Sequence, residues 1–197
     1  MRVGVDIDGV LADSLPLWVK ELNDYFKQNK SLQQIQLQDV CRTYGVTGEE
    51  LLGFLQDRGR FLMTSPPALP GASYYLNQIK KNHDIFIVSA RDEKYGRETR
   101  EWLYKNSMPY DEILLLGSHD KREACLTNDL NVLIEDTLRI SVEVSAAGVP
   151  VLLMDAPYNQ GVLPGQVYRT YSWQEIYRTI ADEPHWFERV SSKEVSF

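Results

Sequence analysis

The sequence predicts an α/β fold, a parallel sheet with helices on both faces, interrupted after its first strand by a purely helical insertion. Short apolar runs rich in β-branched residues recur at Val3 to Ile7, Ile85 to Val88, Ile113 to Leu116, Val132 to Ile134 and Val149 to Met154. Runs that are apolar throughout suit strands covered on both faces. Helix-patterned segments lie between the later runs, at Tyr95 to Lys105, His119 to Thr127 and Leu138 to Ala147. From about Ser14 to Pro66 the alternation stops and no convincing strand is found.

The elements follow in order. The first run ends in Asp6-Ile7-Asp8-Gly9, and the insertion then carries helical patterns at Leu15 to Phe26, at a Gln-rich Leu32 to Tyr44 and at Thr47 to Leu55. Thr47 with Glu50 three residues on has the form of a capping box. Ser65-Pro66-Pro67-Ala68-Leu69-Pro70-Gly71 is a stiff loop that returns the chain to the sheet. Gly148-Val149-Pro150 has the form of a helix stop ahead of the last run. The division expected is a core of residues 1–13 and 67–181, a helical cap of 14–66 and a tail of 182–197. Such an insertion would sit over the carboxyl ends of the strands, where open α/β sheets place their ligands.

Composition narrows the classes. The 197 residues are 43% hydrophobic and 25% charged, with 21 Lys+Arg against 28 Asp+Glu and a net charge of −7. That balance speaks against a long nucleic-acid footprint, though not against a local pocket for one phosphate. Cys41 and Cys125 lack metal-ligand spacing and are expected to be reduced, buried thiols. No run approaches the ~20 apolar residues of a membrane span, and two aspartates interrupt the first apolar stretch, so a soluble, cytoplasmic protein is expected.

Chemistry concentrates at the strand ends. Asp6 and Asp8 follow the first apolar run, a costly place for carboxylates unless something pairs with them. Gly9 would let the chain turn sharply beside a bound anion. Ser89-Ala90-Arg91 follows the second run and offers a hydroxyl, backbone amides and a guanidinium to an anion. Lys121 begins a helix after the third. Glu135-Asp136 ends the fourth, and two acidic pairs converging on one edge would repel unless a divalent cation or a lysine lay between them.

In this order, Asp6-Ile7-Asp8-Gly9-Val10, Ser89, Lys121 and Glu135-Asp136 resemble the four motifs of the haloacid dehalogenase-like phosphohydrolase superfamily. The resemblance spans Val3 to Met154 and implies a Rossmann-like sheet with a mobile cap. More narrowly, Asp8-Gly9-Val10-Leu11-Ala12-Asp13, Pro67-Ala68-Leu69-Pro70-Gly71-Ala72, Asp155-Ala156-Pro157-Tyr158-Asn159 and Ser172-Trp173 resemble the 5′(3′)-deoxyribonucleotidase group. Animal members carry a base-stacking aromatic after the last aspartate of the first motif. Here Ser14 stands there, with Trp18 or Phe61 as substitutes in the substrate pocket.

The resemblance implies a phosphomonoesterase. Asp6 would be the nucleophile and Asp8 the acid/base, its pKa raised by a dry site. Ser89, Ala90, Arg91 and Lys121 would hold the phosphate. Mg²⁺ would be held by Asp6, the Asp8 carbonyl and Asp136, with Glu135 behind it or, alternatively, as a direct ligand. The substrate would be a small phosphomonoester, a nucleoside monophosphate first, with a sugar phosphate or a nucleic-acid 3′-phosphate as alternatives. A non-catalytic binding protein is the reading from another class, and a homodimer is left open. Trp102 and Trp173 are expected in the core, and His83, His119 and His185 in solvent. Arg97, Glu98, Arg100 and Glu101 are expected on a charged helix face, and Asp13 near the acidic pocket.

Overall fold

The computed structural model describes residues 1–32 and 40–181. Six parallel strands, β1 (Arg2–Val5), β2 (Asp84–Ser89), β3 (Glu112–Leu115), β4 (Val132–Glu135), β5 (Val151–Met154) and β6 (Val167–Thr170), lie in the order β3-β2-β1-β4-β5-β6. This is the doubly wound Rossmann order, whose direction of winding reverses between β1 and β4 and leaves a crevice beyond their carboxyl ends.

Alternate strand residues face opposite layers. Val3, Val5, Ile85, Ile87, Val132 and Ile134 pack with α4 (Ala72–Lys80), α5 (Gly96–Lys105) and α8 (Trp173–Ala181). Phe86, Val88, Leu133, Val151 and Leu153 pack with α6 (Arg122–Thr127) and α7 (Leu138–Ala146). Trp102 and Trp173 lie in the first of these cores, as expected, and their indole N–H groups donate to the carbonyls of Pro66 and Val10 at 2.8 Å.

Between β1 and α4 the described residues form helices and loops and add no strand to the sheet. The segment comprises α1 (Leu15–Phe26), α2 (Val40–Tyr44) and α3 (Gly48–Thr64), with a small core of its own around Leu22, Phe54 and Leu62. The Thr47–Glu50 capping box forms as read. The Gln-rich helix is present from Val40, and residues 33–39 lie outside the described set, as does the whole tail 182–197.

The structure departs from the sequence reading at several places. α3 runs nine residues beyond Leu55, because Gly59 does not break it. A side chain at Gly59 would overlap the Tyr95 ring, so the glycine serves close packing of α3 on the core. Glu98 is not on an open face but 5% exposed, covered by Arg60 of α3 at 3.3 Å and by Arg97 at 3.4 Å. β6 was not foreseen; its Arg169 is held by Asp155 and Asn159, both at 2.7 Å. Of the thiols, Cys125 is buried and Cys41 half-buried. His83 is half-buried, its Nδ1 3.3 Å from the N-terminal nitrogen.

Trp173 joins α8 to the loop after β1, so its removal opens a cavity and leaves a buried carbonyl unpaired. Trp173→Ala is expected to cost about 3–5 kcal/mol in urea unfolding, and Trp173→Phe about 1–3 kcal/mol. Tyr104→Ala, at a side chain 87% exposed, should stay within about 0.5 kcal/mol. A Trp173→Phe variant of unchanged stability would show that the indole bond contributes nothing.

Candidate active site

The loop after β1 builds the floor. Asp6 continues the strand's pairing, its N–H donating to the carbonyl of Ile134 at 3.0 Å, so its side chain emerges beside the end of β4. The chain then turns tightly, with the amides of Leu11 and Ala12 both donating to the carbonyl of Ile7. Gly9 sits at φ +86°, and a Cβ there would overlap the Asp136 carboxylate and the Tyr158 hydroxyl. Only a residue without a side chain lets the two loops close this tightly.

Lys121 caps the start of α6 and is 1% exposed. Its ammonium bridges Asp6 Oδ1 at 2.8 Å and Glu135 Oε2 at 2.7 Å. The other Glu135 oxygen accepts from the Thr137 amide at 3.0 Å, so both of its oxygens are engaged. Asp136 accepts from the Tyr158 hydroxyl. Its carbonyl and that of Met154 accept from Asn159 Nδ2 at 2.6 and 2.7 Å. Tyr158 and Asn159 belong to the segment that carried the narrower resemblance, but no sequence signal gave them a role, since their partner lies 22 or 23 positions away.

Asp6, Glu135 and Asp136 present carboxylate oxygens within 4.8 Å of one another. With Asp8 there are four buried or half-buried carboxylates, and among the described residues the cations paired with them are Lys121 and Arg91. The consequence is visible in their ionisation. Burial pushes Asp6 up to about 7, with Lys121 opposing and Glu135 and Asp8 adding to the rise. Burial, then the charges of Glu135 and Asp6, hold Asp136 well above the ordinary carboxylate range. Lys121 is held charged: burial disfavours its ammonium, but Asp6 and Glu135 outweigh that.

Asp8 departs from the expectation of a raised pKa. Burial would raise it, yet Arg91 and, more weakly, Ser14 and Lys121 bring it below its ordinary value. Arg91 grips it with two parallel bonds, Nε to Oδ2 and Nη2 to Oδ1, both 2.8 Å, the strong bidentate geometry of a guanidinium on a carboxylate. Ser14 Oγ donates to Asp8 Oδ1 at 2.5 Å. Arg91, expected to assist the phosphate, thus spends its side chain on Asp8.

These groups line one cavity of about 660 Å³ with Ser89 and Ala90 at the end of β2. Its other wall is apolar and comes mostly from the helical segment: Leu15 and Trp18 of α1, Leu55 and Met63 of α3, and Tyr95. Trp18 packs against Phe54, ring centroids 6.2 Å apart, and still faces the cavity. Ser14 lines it too. Phe61 does not: it is 46% exposed, on a face of α3 turned away from the cavity. Asp13 is likewise exposed and outside the acidic cluster, its amide donating to Pro67. His119 is exposed, as expected, at the cavity's rim near Arg139.

The volume lies in the range of small-molecule sites, and acids, a buried lysine among them, and an apolar wall suit an anionic group attached to a larger body. A model of the family described as 5′ nucleotidase, deoxy (pyrimidine), cytosolic type C protein matches residues 1–183. A Halalkalibacterium halodurans protein classed by name with the nucleotidases is 29% identical over 189 residues, 95% of each chain. A nucleotidase of Clostridium acetobutylicum is 28% identical over 177 residues, 90% of this chain and 92% of its own. The 5′(3′)-deoxyribonucleotidase of Bacillus subtilis is 24% identical over 182 residues, 90% of this chain and 97% of its own. Among solved structures, a Clostridium acetobutylicum protein described as a predicted phosphatase superposes with a TM-score of 0.72 at 14% identity, covering 92% of this chain and 98% of its own. YfnB of Bacillus subtilis, bound to magnesium, gives 0.64 at 14% identity, covering 91% and 97%. The two solved structures share the fold, and the family model spans nearly the whole chain, so this protein belongs to the cytosolic type C 5′-nucleotidase family, within the haloacid dehalogenase-like hydrolases.

Proposed function

We propose that this phosphomonoester hydrolase removes the phosphate from a nucleoside monophosphate through an aspartyl-phosphate formed on Asp6. The carrying observation is the pair of carboxylates after β1, one against a buried lysine and the other against an arginine, on the floor of a cavity with an apolar wall. The relatives' names favour a nucleotide over a sugar phosphate, and so does a wall that includes Trp18 and Tyr95, which offers a flat base an apolar surface.

Asp6 attacks phosphorus in line, the bond to the leaving alcohol breaks, and that oxygen takes its proton from Asp8. Water then attacks the aspartyl-phosphate and gives a proton back to Asp8 as the Asp6 bond breaks. Asp8, ionised at rest, is ready for this second step. In the first it works on a proton that a substrate bound as the phosphate monoanion carries in, since a phosphomonoester's second pKa is about 6. Ser89 and Lys121 hold equatorial oxygens, where charge gathers in the transition state.

The surplus of buried carboxylate over cation, and the raised pKa of Asp6 and Asp136, fit a hard dication. Asp6, Asp136 and the Asp8 carbonyl would hold Mg²⁺. Glu135, with both oxygens already bonded, would stand behind them. When bound, the ion would supply the positive charge that keeps Asp6 ionised and offsets the phosphate oxygens.

Asp6→Asn should lower turnover of deoxynucleoside monophosphates by about 10³-fold or more, and acid quench of the parent protein should trap labelled acyl phosphate that the variant lacks. Near-parental turnover without a trapped intermediate would sink the covalent route. The proton source makes kcat/KM fall tenfold per unit above about pH 6, and a profile flat to pH 9 would contradict it.

Metal removal has its own signature. A carboxyl whose folded pKa lies above the unfolded 3.8 contributes stability at low pH and loses it as pH rises through about 7. Asp8, with a lowered pKa, has the opposite sign and acts only as pH falls towards and below 3.8. Metal-free protein should therefore melt at a lower temperature at pH 8 than at pH 5. Millimolar Mg²⁺ should raise Tm more at pH 8, and a Tm indifferent to Mg²⁺ at both pH values would remove the ion from the site.

A further inference from the structure

Arg91 is 5% exposed and hydrogen-bonded through all three of its guanidinium nitrogens. Nε and Nη2 bind the two oxygens of Asp8, while Nη1 donates to the carbonyl of Met63 at 3.2 Å and to Thr99 Oγ1 at 3.4 Å. Four of its five N–H donors are thereby engaged within the protein. Little is left for a phosphate oxygen unless a bond to Asp8 is given up.

The partners are placed with meaning. Ser14, immediately before α1, is where the helical segment leaves the core, and Met63, in the last turn of α3, is where it returns. Ser14 bonds Asp8 directly and Met63 is joined to Asp8 through Arg91. Both ends of the helical segment are therefore tied to one carboxylate, whose side chain is 26% exposed toward the cavity.

We propose that Arg91 is a positioning residue: it fixes the Asp8 carboxylate and couples its orientation to the end of α3, and it is not a ligand of the substrate phosphate. The inference rests on the assignment of Asp8 as acid/base made above. A proton-transferring group must lie within hydrogen-bond reach of the atom it serves, and a correctly placed one contributes about 10²–10⁴-fold. A carboxylate on a flexible loop would sample other rotamers. The two-pronged guanidinium allows one, and its bond to Met63, a residue of the cavity wall, ties that rotamer to the seating of α3.

A ligand of phosphate and a positioner of Asp8 differ in what their loss does. Losing a phosphate ligand weakens every phosphomonoester and inorganic phosphate alike. Losing the positioner slows the first step, release of the leaving group, only where that group needs a proton. A nucleoside alcohol needs one, whereas 4-nitrophenolate departs as the anion. The experiment measures single-turnover release of nucleoside and of 4-nitrophenol in Mg²⁺, with protein in excess, for the parent, Arg91→Lys and Ser14→Ala, together with inhibition by inorganic phosphate. Lysine cannot reproduce two parallel bonds.

Arg91→Lys should slow nucleoside release by about 30-fold or more, with 4-nitrophenol release and the phosphate inhibition constant each within about 3-fold of the parent. Ser14→Ala should show the same selectivity at smaller size, and it carries the test alone should Arg91→Lys fail to fold. Equal losses with both substrates, or a phosphate inhibition constant that rises in step with the loss, would overturn the proposal and return Arg91 to the phosphate. A parent protein that releases 4-nitrophenol but no nucleoside would instead refute the nucleotide reading, and a parent inactive on both would refute the phosphatase assignment.

Discussion

The ammonium of Lys121 is the contact on which the site depends. It is fully buried, bonded to Asp6 on one side and Glu135 on the other, and it joins the loop after β1, the start of α6 and the end of β4. Without it, three acids would crowd a water-poor crevice, and a buried charge left unpaired is costly enough that it neutralises or unfolds its surroundings. With it, one positive charge serves two carboxylates and leaves the cluster short of cations. In the proposed function a dication would fill that shortage and would let an acidic protein take a phosphate.

The topology makes the cluster cheap to assemble. Asp6 and Glu135 leave neighbouring strands at the point where the winding of the sheet reverses, so the chain departs to opposite faces and a crevice is left beyond them. The hydrogen bond from the Asp6 amide to Ile134 fixes the spacing of the two acids by backbone alone. Gly9 then lets Asp136 and Tyr158 approach from the far side. The helical segment supplies what the sheet lacks, an apolar wall, and it is anchored by polar contacts: Arg60 on Glu98, Tyr95 on the Leu55 carbonyl, and Arg91 on the Met63 carbonyl.

Five strands, the helical insertion, the core tryptophans and the acids at the strand ends were legible because each is a local pattern. An apolar run, a capping box or an acidic pair states its own role within a few residues. β6 was not legible: it is four residues long, lies at an edge and carries Arg169 and Thr170, so its apolar signal is weak. Phe61 misled for a related reason. A helix can turn any residue in or out, and only the packing of α3 on α5 decided that Met63 faces the cavity while Phe61 faces solvent.

The sequence alone determined the fold class, the placing of Asp6, Asp8, Ser89, Lys121, Glu135 and Asp136 at strand ends or helix starts, and the family they resemble, since strand-end position follows from hydrophobic periodicity. Tertiary structure alone decided who pairs with whom. From the sequence Arg91 could meet a phosphate or a carboxylate; in the fold it bonds Asp8, 83 residues away. The same bond reverses the expected shift of Asp8 and leaves Asp6 and Asp136 as the acids driven upward. Ionisation depends on burial and on charges within a few ångströms, and neither is written in the order of residues along the chain.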